Sequence, residues 1–181
     1  LGEGAALLVL ESLEHAEARG ARILGSVLGY GLSSDALHVA TPSENAEGAQ
    51  RCMRLALADA DLAPGDIDHL NAHATSTPLG DLSEARAIRA VFGDGHAGPA
   101  VSATKSMTGH MLGSAGALEA LLCIQALQEG VLPPTINLEK VGPGCELDHV
   151  ANRARQVQSE VALSNSFGFA GVNASLILGR V

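Results

Sequence analysis

Of seven histidines, two keep company that could do chemistry. His73 lies in the stretch Asn71 to Asp81, directly after a run that reads as a strand. Loops at the carboxyl ends of strands in open α/β sheets are where ligands bind. Thr75, Ser76 and Thr77 crowd three hydroxyls beside the imidazole, and Pro78 and Gly80 set a turn. The same residues also suit a polar loop whose Thr77 or Asp81 caps the next helix, and residue types alone do not choose between the two. His110 follows Lys105 and Thr108. With Thr108 as N-cap, His110 falls in the first turn of a long helix, whose positive end keeps the imidazole neutral and able to donate one N–H. Gly109, Gly113 and Gly116 then form one bare helix face, fit for close backbone approach or simply for packing. Lys105 is one of only two lysines beside nine arginines. A third element, Asn165 to Asn173, puts Phe167 and Phe169 in one glycine-rich turn. The rings could gate a ligand or fill a core. His15, His38, His69, His96 and His149 have no such company and read as surface or hydrogen-bonded structural residues.

The elements that must position these groups alternate in type. Residues 4 to 10 form a continuous apolar run, as in a buried strand. A short helix covers 12 to 19, closed by Gly20, and a second strand covers 23 to 30. After a loop at Pro42 and Ser43, residues 44 to 60 have helical spacing, with Ala46, Ala49, Met53, Leu55, Ala56 and Leu57 on the apolar side. Pro64, Gly65 and Asp66 make a turn, and a strand spans 67 to 72. A helix follows over 80 to 91, a strand over 100 to 103, and the longest helix over 108 to 128, stopped by Gly130 and then Pro133 and Pro134. Residues 161 to 178 read as two strands about a turn at Gly168 to Gly171. The pattern predicts an α/β domain with a mixed sheet.

Composition narrows the class. In 181 residues, 46% are hydrophobic and 17% charged, which excludes a disordered chain. No apolar run is long enough to span a membrane, and a net charge of −9 argues against a nucleic-acid surface. Twenty-one glycines against four aromatics, Tyr30, Phe92, Phe167 and Phe169, imply closely packed helices and sheet. Cys52, Cys123 and Cys145 are scattered, as expected of free thiols in the cytoplasm. The start at Leu1, without Met or a leader-type segment, reads as the middle of a longer protein.

Taken together and in this order, the three loops resemble the C-terminal half of β-ketoacyl-[acyl-carrier-protein] synthases, the synthase II-like elongating condensing enzymes of type II fatty acid synthesis. The resemblance runs from Gly2 to Leu178 and includes Leu132 to Asn137 and Cys145 to Asp148. Thiolases share the fold but lack the motifs at Asn71 to Pro78 and Lys105 to His110. The resemblance implies a thiolase-like fold, a five-stranded mixed sheet flanked by helices, with residues 1–181 as one C-terminal half. The nucleophilic cysteine would belong to the N-terminal half, outside this chain, which alone would be inactive. In such enzymes that cysteine takes an acyl group as a thioester, malonyl-carrier protein loses CO₂, and the carbanion attacks the thioester. By the same resemblance, His73 and His110 are the catalytic histidines, and Lys105 pairs with Glu84. Thr75 and Thr77 bind the pantetheine arm, Phe169 gates the site and helps form an oxyanion hole, and Phe167 lines the substrate path. No metal or resident cofactor is implied, since the substrates ride on the phosphopantetheine arm of acyl carrier protein. The family forms homodimers. Arg51/Arg54 and Arg86/Arg89 are candidates for docking the acidic carrier. Ala74 and Ala170 stand where Gly is common, which implies slightly stiffer loops. A non-catalytic, chain-length-factor-like partner of a polyketide ketosynthase is the alternative, and intact His73, Lys105 and His110 weigh against it. A thiolase-type enzyme using CoA is disfavoured by the motif flanks.

Overall fold

A computed structural model describes residues 1–38, 41, 43, 45–93 and 98–181; the expectations for Pro42 and His96 lie outside them. In chain order the elements are α1 (Leu13–Ala18), β1 (Ser26–Ser34), α2 (Glu47–Asp59), β2 (His69–Asn71), α3 (Pro78–Phe92), β3 (Ala100–Ser102), α4 (Lys105–Thr108), α5 (Ala115–Glu129), β4 (Val131–Leu132), β5 (Arg155–Gln156), β6 (Val161–Phe167) and β7 (Val172–Gly179). Five strands form one mixed sheet in the order β1-β7-β6-β2-β3. β7 runs antiparallel to both β1 and β6, whereas β6, β2 and β3 are mutually parallel. The loops after β2, β3 and β6 therefore leave the sheet at one end, and these are the three loops with chemical side chains.

Alternation along the strands puts a buried cluster on each face of the sheet. Leu70, Val101, Leu163 and Ile177 face α2 and α3, meeting Met53, Leu57 and Ile88. Ala162 and Leu178 face α5, meeting Ala120, Cys123 and Leu127. The small residues have a packing reason. A Cβ at Gly29 would lie 2.6 Å from Ala60 N, and one at Gly31 would run into Cys52 O. The α2 backbone thus rests directly on β1, a separation that only glycine permits.

Two expectations fail. Residues 4 to 10 are not a buried strand: they lie outside regular structure, and Leu7 and Val9 are 92% and 85% exposed. An apolar run becomes a strand only beside another strand, and none adjoins it among the described residues. The helix over 108 to 128 is broken as well. α4 ends at Gly109, where φ is +70°. Leu112 also takes a positive φ, +55°, and α5 begins only at Ala115. Thr108 is therefore no N-cap, and Gly109, Gly113 and Gly116 do not share a helix face. Leu28, Tyr30 and Leu32 on β1 are exposed too, a sheet face with nothing against it among the described residues. No helix of the described residues is long and apolar enough to cross a membrane.

Candidate active site

The His73 loop is built from below by a carboxylate. β2 ends at Asn71, and α3 starts at Pro78, a residue suited to a first helical position. Between them the chain turns sharply, with positive φ at Ala74 and Ser76. Glu84 reaches back from α3: Oε1 accepts His73 N–H at 2.9 Å and Oε2 accepts Ala74 N–H at 2.8 Å. Asn165 Nδ2 also donates to Glu84 Oε1, at 3.2 Å. Burial holds the Glu84 carboxyl above its ordinary value, and these donors, with the Lys105 charge, offset that rise only in part. Of the two cap candidates Asp81 does the work: its carboxylate accepts backbone N–H groups at the entry to α3, Ser76 N–H at 3.1 Å and that of Thr77, while Thr77 makes no side-chain cap bond.

Glu84 is thus not the partner of Lys105, as the resemblance implied. Lys105 Nζ lies 2.5 Å from Glu119 Oε1, with side chains only 4% and 1% exposed. The Glu84 carboxylate is already engaged by backbone N–H groups, while Glu119 faces α4 from the second turn of α5. The missed residue had a signal: Glu119 is the sole charged residue in α5 before Glu129. A lone charge in an apolar helix calls for a buried partner.

Across the cleft the rings of His73 and His110 stand 5.4 Å apart, centroid to centroid, and nearly perpendicular. Phe167 lies 6.0 Å from His73 on another side. Both imidazoles are neutral at physiological pH. Burial, then the charge of Lys105, depresses His73 to about 3, and the same two causes lower His110. A helix N-terminus plays no part, because His110 sits between α4 and α5. His110 Nδ1 accepts Leu112 N–H at 3.3 Å, which places its own proton on Nε2.

A cleft of about 1010 Å³ opens over this pair, lined among others by His73, His110, Thr75, Thr77, Phe167 and Phe169. The Thr75 and Thr77 hydroxyls are 3.2 Å apart. Phe169 is no core ring: it is 81% exposed, on a turn where Ala170 and Gly171 both have positive φ. Phe167 is the half-buried one. The cysteines lack activation. Burial raises Cys52 and Cys145 and pushes Cys123 up to about 12. The arginine pairs are largely engaged within the fold. Arg51 binds Ser34 O, Arg54 binds Ala90 O and Gln50, and Arg89 binds Gly144 O and Glu146.

Residues 24–139 match the family described as beta-ketoacyl synthase, C-terminal domain. The chain belongs to the β-ketoacyl synthase family. It is 52% identical over 181 residues to 3-oxoacyl-[acyl-carrier-protein] synthase 2 of Coxiella burnetii, covering all of this chain and 44% of that protein. Its identity to the enzyme of the same name from Rhizobium meliloti is 51%, covering 99% of this chain and 42% of that one. Among solved structures it is similar to the ishigamide ketosynthase/chain length factor, with TM-score 0.95 and 50% identity over 99% of this chain and 44% of that chain. It is also similar to a type II polyketide acyl-carrier protein in complex with its ketosynthase, with TM-score 0.90 and 34% identity over 94% and 42% of the two chains. The fold is thus the thiolase-like fold of ketosynthases, and the chain spans less than half the length of these relatives. Glu84, Glu119 and the histidine pair therefore belong to the C-terminal part of a β-ketoacyl synthase.

Proposed function

We propose that this chain supplies the decarboxylating half of a condensing enzyme of fatty acid elongation. That enzyme joins malonyl-[acyl-carrier protein] to an enzyme-bound acyl thioester and yields 3-oxoacyl-[acyl-carrier protein]. The observation that carries this reading is the facing pair of neutral imidazoles, His73 and His110, in one cleft beside a buried Lys105–Glu119 ion pair. The bond from malonyl C2 to its carboxylate breaks, CO₂ leaves, and the electron pair moves onto the thioester oxygen. Two preorganised imidazole N–H donors stabilise that enolate. C2 then bonds to the acyl carbonyl carbon and the C–S bond to the enzyme breaks, releasing a cysteine thiolate. That cysteine lies outside this chain: Cys52 and Cys123 are buried, and the Cys145 thiol is raised by burial and by nearby acidic groups.

Burial and Lys105, the latter anchored by Glu119, keep the imidazoles neutral, Thr75 and Thr77 bind the pantetheine arm, and the Phe169 turn admits the malonyl group. Acyl carrier protein is the partner, and the whole enzyme is a homodimer in the cytoplasm. The intact set His73, Lys105 and His110 favours this reading over a non-catalytic chain-length-factor-like partner, which needs none of the three.

In the full-length protein, His73→Ala or His110→Ala lowers malonyl decarboxylation a few hundred- to a thousandfold, about 3 to 4 kcal/mol per lost donor. Acyl transfer onto the enzyme is less affected. Parental decarboxylation in both variants would overturn the enolate-donor roles.

A further inference from the structure

Behind Glu84 runs a second line of buried polar groups that the reaction scheme leaves unused. Asn165 on β6 and Ser175 on β7 are direct register partners. Ser175 Oγ donates to Asn165 Oδ1 at 2.7 Å, and Asn165 Nδ2 donates to Glu84 Oε1 at 3.2 Å, with a longer 3.5 Å approach to Met53 Sδ. All three polar residues are buried, Asn165 completely. Fixing Oδ1 as the acceptor of a hydroxyl leaves Asn165 only its Nδ2 to turn towards the carboxylate.

The consequence reaches His73 through the backbone. Glu84 accepts His73 N–H on one oxygen and Ala74 N–H on the other, a bidentate grip that is strongest for the carboxylate. The loop it holds is strained, with Ala74 at φ +26°, and relaxes if that grip is lost. The charged or titratable groups around the line are Lys105 from α4, His73 itself, and Cys52 from α2 beside Ser175. Among these, Lys105 is committed to Glu119, so Asn165 is the side-chain donor that completes the Glu84 shell.

We propose that Asn165, aligned by Ser175, is a positioning residue for His73: its amide holds the Glu84 carboxylate in the bidentate pose that sets the His73 loop. This rests on the decarboxylating role given to His73.

The test uses the full-length enzyme, reading malonyl decarboxylation relative to acyl transfer from about pH 6 to about pH 9. Asn165→Leu removes the donor and lowers that ratio about 100-fold at every pH, the scale of a misplaced catalytic group. Asn165→Asp places two carboxyls together, and such a pair shares one proton. While the proton stays, the introduced carboxyl can still donate to Glu84. The ratio is therefore partly retained at the acid end and falls as pH rises, a limb the parent ratio lacks. If Asn165→Leu does not fold, the Asn165→Asp profile decides alone. A parental ratio in Asn165→Leu, or a pH-independent ratio in Asn165→Asp, overturns the positioning role. His73→Ala is run alongside. If it is impaired while Asn165→Leu is parental, only this inference fails; a parental rate in His73→Ala removes the role of His73 and this inference with it.

Discussion

Breaking the Lys105–Glu119 pair exposes how much the site depends on charges kept out of water. With side chains 4% and 1% exposed at 2.5 Å, neither ion has water to fall back on. Glu119 Oε2 has no hydrogen-bond partner among the described residues, so Lys105 is its main compensation. Lys105→Met leaves a buried carboxylate unpaired, which costs about 3 to 5 kcal/mol, a large part of the 5 to 15 kcal/mol that typically separates folded from unfolded states. The loss has a defined pH dependence. Burial already raises the Glu119 carboxyl and Lys105 opposes that rise; without the lysine the folded value moves further up. An acid with a raised folded pKa stabilises least where the unfolded form is ionised. The Lys105→Met defect therefore grows as pH rises above the ordinary carboxylate value of 4.5 and is relieved in acid. The double variant Lys105→Met/Glu119→Leu replaces the pair with apolar groups and recovers most of the stability, to within about 2 kcal/mol of the parent. It does not recover activity. Lys105 lowers the pKa of both His73 and His110, so its removal lets imidazolium form at higher pH and shifts the acid limb of malonyl decarboxylation upward. The assays are urea denaturation of the parent, Lys105→Met, Glu119→Leu and the double variant at several pH values, and decarboxylation on the same preparations. Additive stability losses in the double variant would refute the coupling, and an unmoved acid limb would refute the electrostatic link to the histidines.

Three further outcomes follow from single sites. Phe169→Ala leaves stability within about 0.5 kcal/mol, because the ring is exposed, while raising uncoupled decarboxylation relative to condensation; an unchanged ratio would remove the gate. His69 is fully buried, and burial lowers it from 6.5 to about 4. The unfolded chain therefore takes up a proton first as pH falls, so stability drops between pH 6.5 and about 4, by about 3 kcal/mol, and levels off below. His69→Gln abolishes that part of the acid loss in denaturant titrations, and an unchanged loss would refute the assignment. Gly2 N–H donates to His110 O at 3.0 Å, and a Cβ there would run into Thr108 O, whereas one at Gly4 meets only the movable Met111 side chain. Gly2→Ala thus lowers decarboxylation about 10- to 100-fold and Gly4→Ala by no more than about twofold; equal rates in the two variants would show that the backbone contact does not hold His110.

Local pattern alone determined the α/β class, the closing pair β6 and β7, and the three loops in which His73, His110 and Phe169 reside. Strand alternation, helix spacing and turn residues act over a few positions, so they survive in one dimension. The richness in glycine was legible for the same reason, since Gly29 and Gly31 record how closely α2 must approach β1. The neutral state of His110 was anticipated, but from the wrong cause: Gly109 and Leu112 take left-handed backbone that ends the helix, and burial beside Lys105 supplies the effect instead. The partner of Lys105 lay beyond any local rule, because Glu84 and Glu119 are both carboxylates on helices and only packing shows which one faces the ammonium. Residues 4 to 10 carry every local mark of a strand and still form none, since a strand is a property of two chains side by side. Tertiary structure decided each of these, because pairing of charges and of strands depends on what stands opposite, and sequence order does not specify that.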